Sequence, residues 1–154
     1  LRLVIESYLQ YAETEKNLHW ELIKIGSKEL KISTEMKEFS DGEEKFELHR
    51  AHYIPMTTTG VLWSRKGAQK FIENSDEIFA PVDNYFRYAL TRSNTGLAFS
   101  PPLVKTTGAE SEIDSKTAAS NKRSKTNRSH LYFYLKHRRV FGEQFIAIKN
   151  KYKN

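Results

Sequence analysis

Apolar residues recur at helical spacing from the first position onward. Leu1, Ile5, Tyr8, Leu9 and Ala12 share one face, which predicts a helix from Leu1 to about Lys16. The pattern starts without an N-cap and with Leu1 rather than Met, so the reading is of a chain that begins inside a longer domain. Trp20–Ile25 is a short apolar run closed by Gly26, and a helix followed by such a strand suggests α/β order. Residues 27–45 are rich in Lys and Glu with little periodicity, and read as an exposed excursion with a short helix near Glu35–Phe39. Phe46, Leu48, Tyr53 and Ile54 predict one strand, and Thr58–Trp63 a second, rich in β-branched and aromatic residues. Ser64 then caps a helix from Arg65 to about Asn74 with Ala68, Phe71 and Ile72 inward. Pro81 opens another, through Tyr85, Phe86 and Leu90 to about Ser93. Asn94-Thr95-Gly96 makes a turn into a strand at Leu97–Phe99, which Pro101-Pro102 stops and Val104 extends at the edge.

After Lys105 the pattern changes. Thr106–Ser129 holds Ile113 as its only large apolar residue and reads as a flexible linker, because it offers too little surface to offset chain entropy. Leu131–Tyr152 regains order. Phe141, Phe145, Ile148 and Tyr152 follow 4, 3, 4 spacing, which predicts an amphipathic basic helix.

Composition changes this picture in one respect. The net charge of +6 is unevenly spread: residues 116–154 carry eleven Lys and Arg against Glu143 alone, whereas 1–115 carries 14 basic and 18 acidic residues. A slightly acidic body joined to a basic tail marks an attached binding segment. Lys and Arg beside an aromatic face suit an anionic membrane surface, reached through 131–154. The competing reading is a helix that packs its apolar face on the body. Nucleic acid is disfavoured as a partner, given the acidic body and no recognised binding motif. The 154 residues contain no cysteine, which excludes a disulfide scaffold, a thiolate metal site and a cysteine nucleophile. No apolar run reaches the length of a membrane span.

Conventional catalytic signatures are sparse. There is no Gly-rich phosphate loop, H-E-x-x-H or G-x-S-x-G elbow. His49 and His52 stand three apart, a spacing that shares a face on a helix; in the strand or loop expected here it favours ordinary surface or packing roles over metal binding. Asp83, just after Pro81, falls in the first turn of a helix. There it either serves the helix dipole and free N–H groups or acts as an acid–base group. Gly60 after Thr58 and Thr59 allows either close backbone approach by a substrate or a strand bulge. Trp63 suits a sugar-stacking ring or a core aromatic.

An ordered series runs through this middle third. It comprises Gly60-Val61-Leu62-Trp63-Ser64-Arg65-Lys66-Gly67-Ala68, then Pro81-Val82-Asp83, then Pro101-Pro102-Leu103-Val104, then Ser111-Glu112-Ile113. It resembles glycosyltransferase family 25, the lipopolysaccharide and lipooligosaccharide glycosyltransferases of bacteria, related to the collagen galactosyltransferases; the match covers roughly residues 20–115. The resemblance implies an α/β fold of GT-A type, incomplete at its N-terminus, with residues 1–115 as the C-terminal part of the transferase domain and 116–154 as linker and basic tail. It implies transfer of a sugar, galactose in many members, from a UDP-sugar to a glycan or glycolipid acceptor, at a cytoplasmic location peripheral to the inner membrane. Asp83 is then the catalytic residue, with Thr58, Thr59, Gly60 and Trp63 on the substrate. Such enzymes depend on Mn²⁺ or Mg²⁺ held by an acidic E-D-D or D-x-D motif. That motif is absent from these residues, and the family places it just upstream of the first helix. The expectation is a parent enzyme of which this chain alone is inactive. The alternative is a non-catalytic glycan- or membrane-binding module that retains the fold.

Overall fold

The structure is a computed structural model that describes residues 1–15, 18–26, 29–56, 58–74, 79–105 and 130–153. The chain divides into two units, one of Leu1–Lys105 with Glu143–Asn154 and one of Thr106–Gly142. The linker expected at 106–129 lies outside the described residues.

In the first unit the order is α1 (Arg2–Thr14), β1 (Leu22–Gly26), β2 (Ser33–Asp41), β3 (Glu44–Ala51), β4 (Gly60–Trp63), α2 (Arg65–Glu73), α3 (Val82–Ser93) and β5 (Gly96–Ser100). Helix α4 (His130–Lys151) contributes its C-terminal half to this unit. The strands form one mixed sheet, ordered β2-β3-β5-β1-β4. β1 and β5 run parallel in its middle, and the other neighbours pair antiparallel.

Alternation along β1 divides the core between the two faces of this sheet. Ile23, with Leu48, Leu97 and Phe99, joins Val4 and Tyr8 of α1 on one side. Leu22 and Ala98 meet Phe86 and Leu90 of α3 on the other, with Trp63 and Phe71 packed against them. Coverage on both faces explains why β1 places apolar residues on each, with Lys24 its one charged member. Helix α1 is turned slightly from the expected face. Val4, Tyr8 and Tyr11 pack inward, whereas Leu1 and Leu9 are about half exposed.

Residues 27–45 depart furthest from expectation. In place of an excursion with a helix near Glu35–Phe39, they supply β2, hairpinned to β3 with Asp41 opposite Glu44. Gly42 takes φ of +66° at the first loop position, as a type II′ turn requires. Phe39 is the only side chain of β2 that is buried. An edge strand solvated over most of both faces needs no apolar alternation, and its charges deter pairing with other chains.

Ser64 caps α2 as expected, its Oγ accepting the Gly67 N–H at 2.9 Å. Ile72, expected inward, is exposed, and the inward positions are Gly67 and Phe71. Gly67 lies against the Glu21 backbone so closely that a Cβ there would overlap it. Tyr53 and Ile54 are buried but lie beyond the end of β3. Asn94, at φ 55°, ends α3 in the left-handed conformation and leads into β5.

Candidate functional site

The carboxyl ends of β1 and β5 lie side by side because those strands are parallel, and ligands in open α/β sheets gather at such ends. The end of β1 is crowded by backbone. Gly26 stands opposite Gly60, with a register shift between Lys24 and Gly26. A Cβ on Gly26 would come within 3.1 Å of Gly60 N, 3.2 Å of Thr59 Cβ and 3.2 Å of Val104 O. Val104 N–H donates to Ile25 O at 3.0 Å, so the Pro-Pro-Leu-Val segment closes over this edge. Thr58 and Thr59 are exposed where the chain enters β4, and Gly60 is half-buried.

Two residues before Gly26 on β1 is Lys24, with no solvent-accessible surface. It stands between Ala98 and Val61 on the neighbouring strands and shares the α3 side of β1 with Leu22. Its Nζ lies 5.0 Å from the centroid of the Phe86 ring. Burial pushes its pKa down to about 8; the Asp83 carboxylate counters that fall and the Arg87 guanidinium adds to it. Asp83 and Arg87 are one turn apart on α3, so the first two turns of that helix bring one charge of each sign to bear on the Lys24 ammonium. Arg87 is itself held, its Nε donating to Ile54 O at 2.9 Å and its guanidinium 4.3 Å from the centroid of the Tyr53 ring. Asp83 is half-buried at the N-terminus of α3, where unpaired N–H groups favour an anion.

Of the five residues singled out in the sequence, Thr58, Thr59, Gly60 and Asp83 therefore belong to the carboxyl end of β1. Trp63 does not. It pairs opposite Leu22, toward the other end of β1, and packs against Phe71 and Phe86 with ring centroids 5.2 and 5.3 Å away. There it borders a cavity of about 500 Å³ between α2 and α3, whose polar lining includes the Glu21–Lys70 ion pair at 2.6 Å with Asn74, Arg92 and Ser93. Lys24 escaped the sequence reading because a lysine within an apolar run passes for an edge position. Its place two residues after Leu22, in phase with a buried face, was the available signal.

His52 forms a second buried polar group. Its Nδ1 is 2.8 Å from Asn94 Oδ1 and its Nε2 is 2.9 Å from Thr34 Oγ1. Burial lowers its pKa against the opposing Asn94 hydrogen bond, and the Arg50 and Lys151 charges add to the fall, which favours the neutral ring. Arg50 donates to the carbonyls of His19 and Asn94, at 2.8 and 3.2 Å. These bonds tie β2, β3 and the end of α3 together, a structural use of the histidine.

Among the described residues no three His, Asp or Glu stand together as a metal-ligand set. Among the described residues no donor set fits the divalent ion that the family resemblance implies, whose ligands that resemblance places mostly outside this chain. The fold is mixed α/β, with a five-stranded sheet and four helices among the described residues. No family model, curated protein or solved structure matches the chain.

Proposed function

We propose that this chain is the acceptor-side portion of a family 25 glycosyltransferase, with Asp83 as the general base. The supporting observation is that the half-buried Asp83 carboxylate, at the N-terminus of α3, acts on the buried Lys24 ammonium beside the end of β1 that Thr59, Gly60 and Val104 close. In the reaction the acceptor hydroxyl gives its proton to the Asp83 carboxylate while its oxygen bonds to the anomeric carbon. The bond from that carbon to the nucleoside diphosphate breaks, and the electron pair leaves with the phosphate. Lys24 balances the charge of Asp83 and orients it, and Thr58 and Thr59 offer hydroxyls to the acceptor. Gly60 lets β4 pack directly against Ile25 and Gly26 of β1, and so carries the two threonines to this end of the strand. In the parent protein the divalent ion is held by acidic residues outside this chain.

The test is turnover of a UDP-sugar with a glycan acceptor by the parent protein, extended upstream to its acidic motif. Asp83→Asn is expected to lower kcat about 100-fold or more with little change in donor KM. Full turnover by a folded Asp83→Asn protein removes the base role. A parent sequence with no acidic motif upstream would instead favour a non-catalytic glycan-binding module.

A further inference from the structure

The C-terminal half of α4 has two opposed faces. Glu143 and Ala147 are buried, and Asn150 Nδ2 donates to Thr91 O at 2.8 Å. The spacing of these three puts them on one side of the helix. Phe145, Ile148 and Tyr152 lie about 180° away at 3.6 residues per turn, and are 70%, 47% and 80% exposed. Lys149 and Lys151, both exposed, fall on opposite flanks of that stripe, and Lys153 follows. Glu143, the only acid of this half, is turned to the buried side.

A terminal helix that merely completes a core turns its aromatic residues inward. Here the small and polar residues dock on the body, and the aromatic stripe faces out between lysines.

We propose that this outward face of α4 is a docking surface for an anionic lipid bilayer. The helix lies in the plane of the interface, with Phe145, Ile148 and Tyr152 entering the boundary between headgroups and acyl chains. The flanking lysines reach the lipid phosphates. The charge pattern selects this occupant. A second copy of the chain, meeting the stripe face to face, would set Lys149, Lys151 and Lys153 against their own like charges. A nucleic-acid backbone would engage the lysines but leave Phe145 and Ile148 without an apolar environment. The proposal stands apart from sugar transfer, since it rests on no residue of the Asp83 site.

The test is co-sedimentation of the 154-residue chain with vesicles of phosphatidylglycerol and phosphatidylcholine, and with phosphatidylcholine alone, across a salt series. Binding is expected on the anionic vesicles, much weaker on the neutral ones, and falling as salt rises. Replacing both Lys149 and Lys151 by Ala should lower the partition coefficient about thirtyfold, roughly fivefold per lysine. Phe145→Ser, Ile148→Ser and Tyr152→Ser together should lower it at least about tenfold with an unchanged circular dichroism spectrum. Failure to bind anionic vesicles, or binding indifferent to both sets of substitutions, overturns the proposal. So does a dimer in sedimentation that the apolar triple variant dissolves, or retention on duplex DNA without vesicle binding.

Discussion

A lysine that carries its charge in the middle of a sheet costs stability, and Lys24 makes that cost measurable. In the unfolded chain it holds its proton to about pH 10.5, and in the folded protein it releases it near pH 8. Between those values the unfolded state binds more protons, so stability must rise with pH; below pH 8 both states are protonated and the slope vanishes. Urea unfolding between pH 8 and 9.5 should show a gain of about 1.5 kcal/mol from this lysine. Lys24→Met should flatten that rise. Asp83→Asn should push the Lys24 pKa below about 8, since the carboxylate opposes the fall. Titration of the Lys24 side chain by NMR reads this directly, whatever the protein's activity. An unmoved pKa would mean that Asp83 and Lys24 do not interact. Neither effect was legible from composition, because solvent exclusion at position 24 is the joint product of two neighbouring strands and α3.

At the scale of elements, local chemistry carried far where it was strong. Ser64 before an apolar helical pattern gave the start of α2, and Asn94-Thr95-Gly96 gave the turn from α3 to β5. Ser64→Ala should cost about 1 kcal/mol through loss of the cap. Gly67 matters more for assembly than for helix propensity. Gly67→Ala drives a methyl group into the Glu21 backbone, which cannot swing aside as a side-chain end would. A loss of about 2–3 kcal/mol is expected in thermal or urea unfolding, although Ala is the better helix former. Local chemistry failed for β2. Asp41-Gly42 was a hairpin signal, but the Lys and Glu around it lacked the alternation of a half-buried strand. Pairing with β3 formed the strand without it.

On the scale of the whole molecule, the C-terminal half of α4 has a buried side and an exposed side whose roles can be separated. Ala147→Glu sets a carboxylate against the body at a site with no solvent-accessible surface, and should release the segment 143–153. Trypsin should then cut after Lys149 and Lys151 much faster than in the parent chain. Phe145→Ser, on the exposed side, should leave the cleavage rate unchanged. Equal rates for the two variants would show that Ala147 does not hold the helix down. No helix among the described residues is long and apolar enough to cross a membrane.

The sequence by itself determined the order of helix and strand outside β2, the cap and turn that bound α2 and α3, and the division into an acidic body and a basic tail. These are local quantities, set by spacing, side-chain chemistry and charge along the chain. Tertiary structure alone decided that β1 and β5 lie parallel and adjacent, bringing Gly26, Gly60 and Val104 to one edge with Lys24 and Asp83 beside it. It also decided which side of α4 is buried. The 4, 3, 4 spacing of Phe141, Phe145, Ile148 and Tyr152 defines a face but not a partner. Burial of the opposite side depends on Thr91, fifty-nine residues earlier, and on the space beside Ala147. Contacts between residues so far apart in the chain leave no periodic trace in either segment.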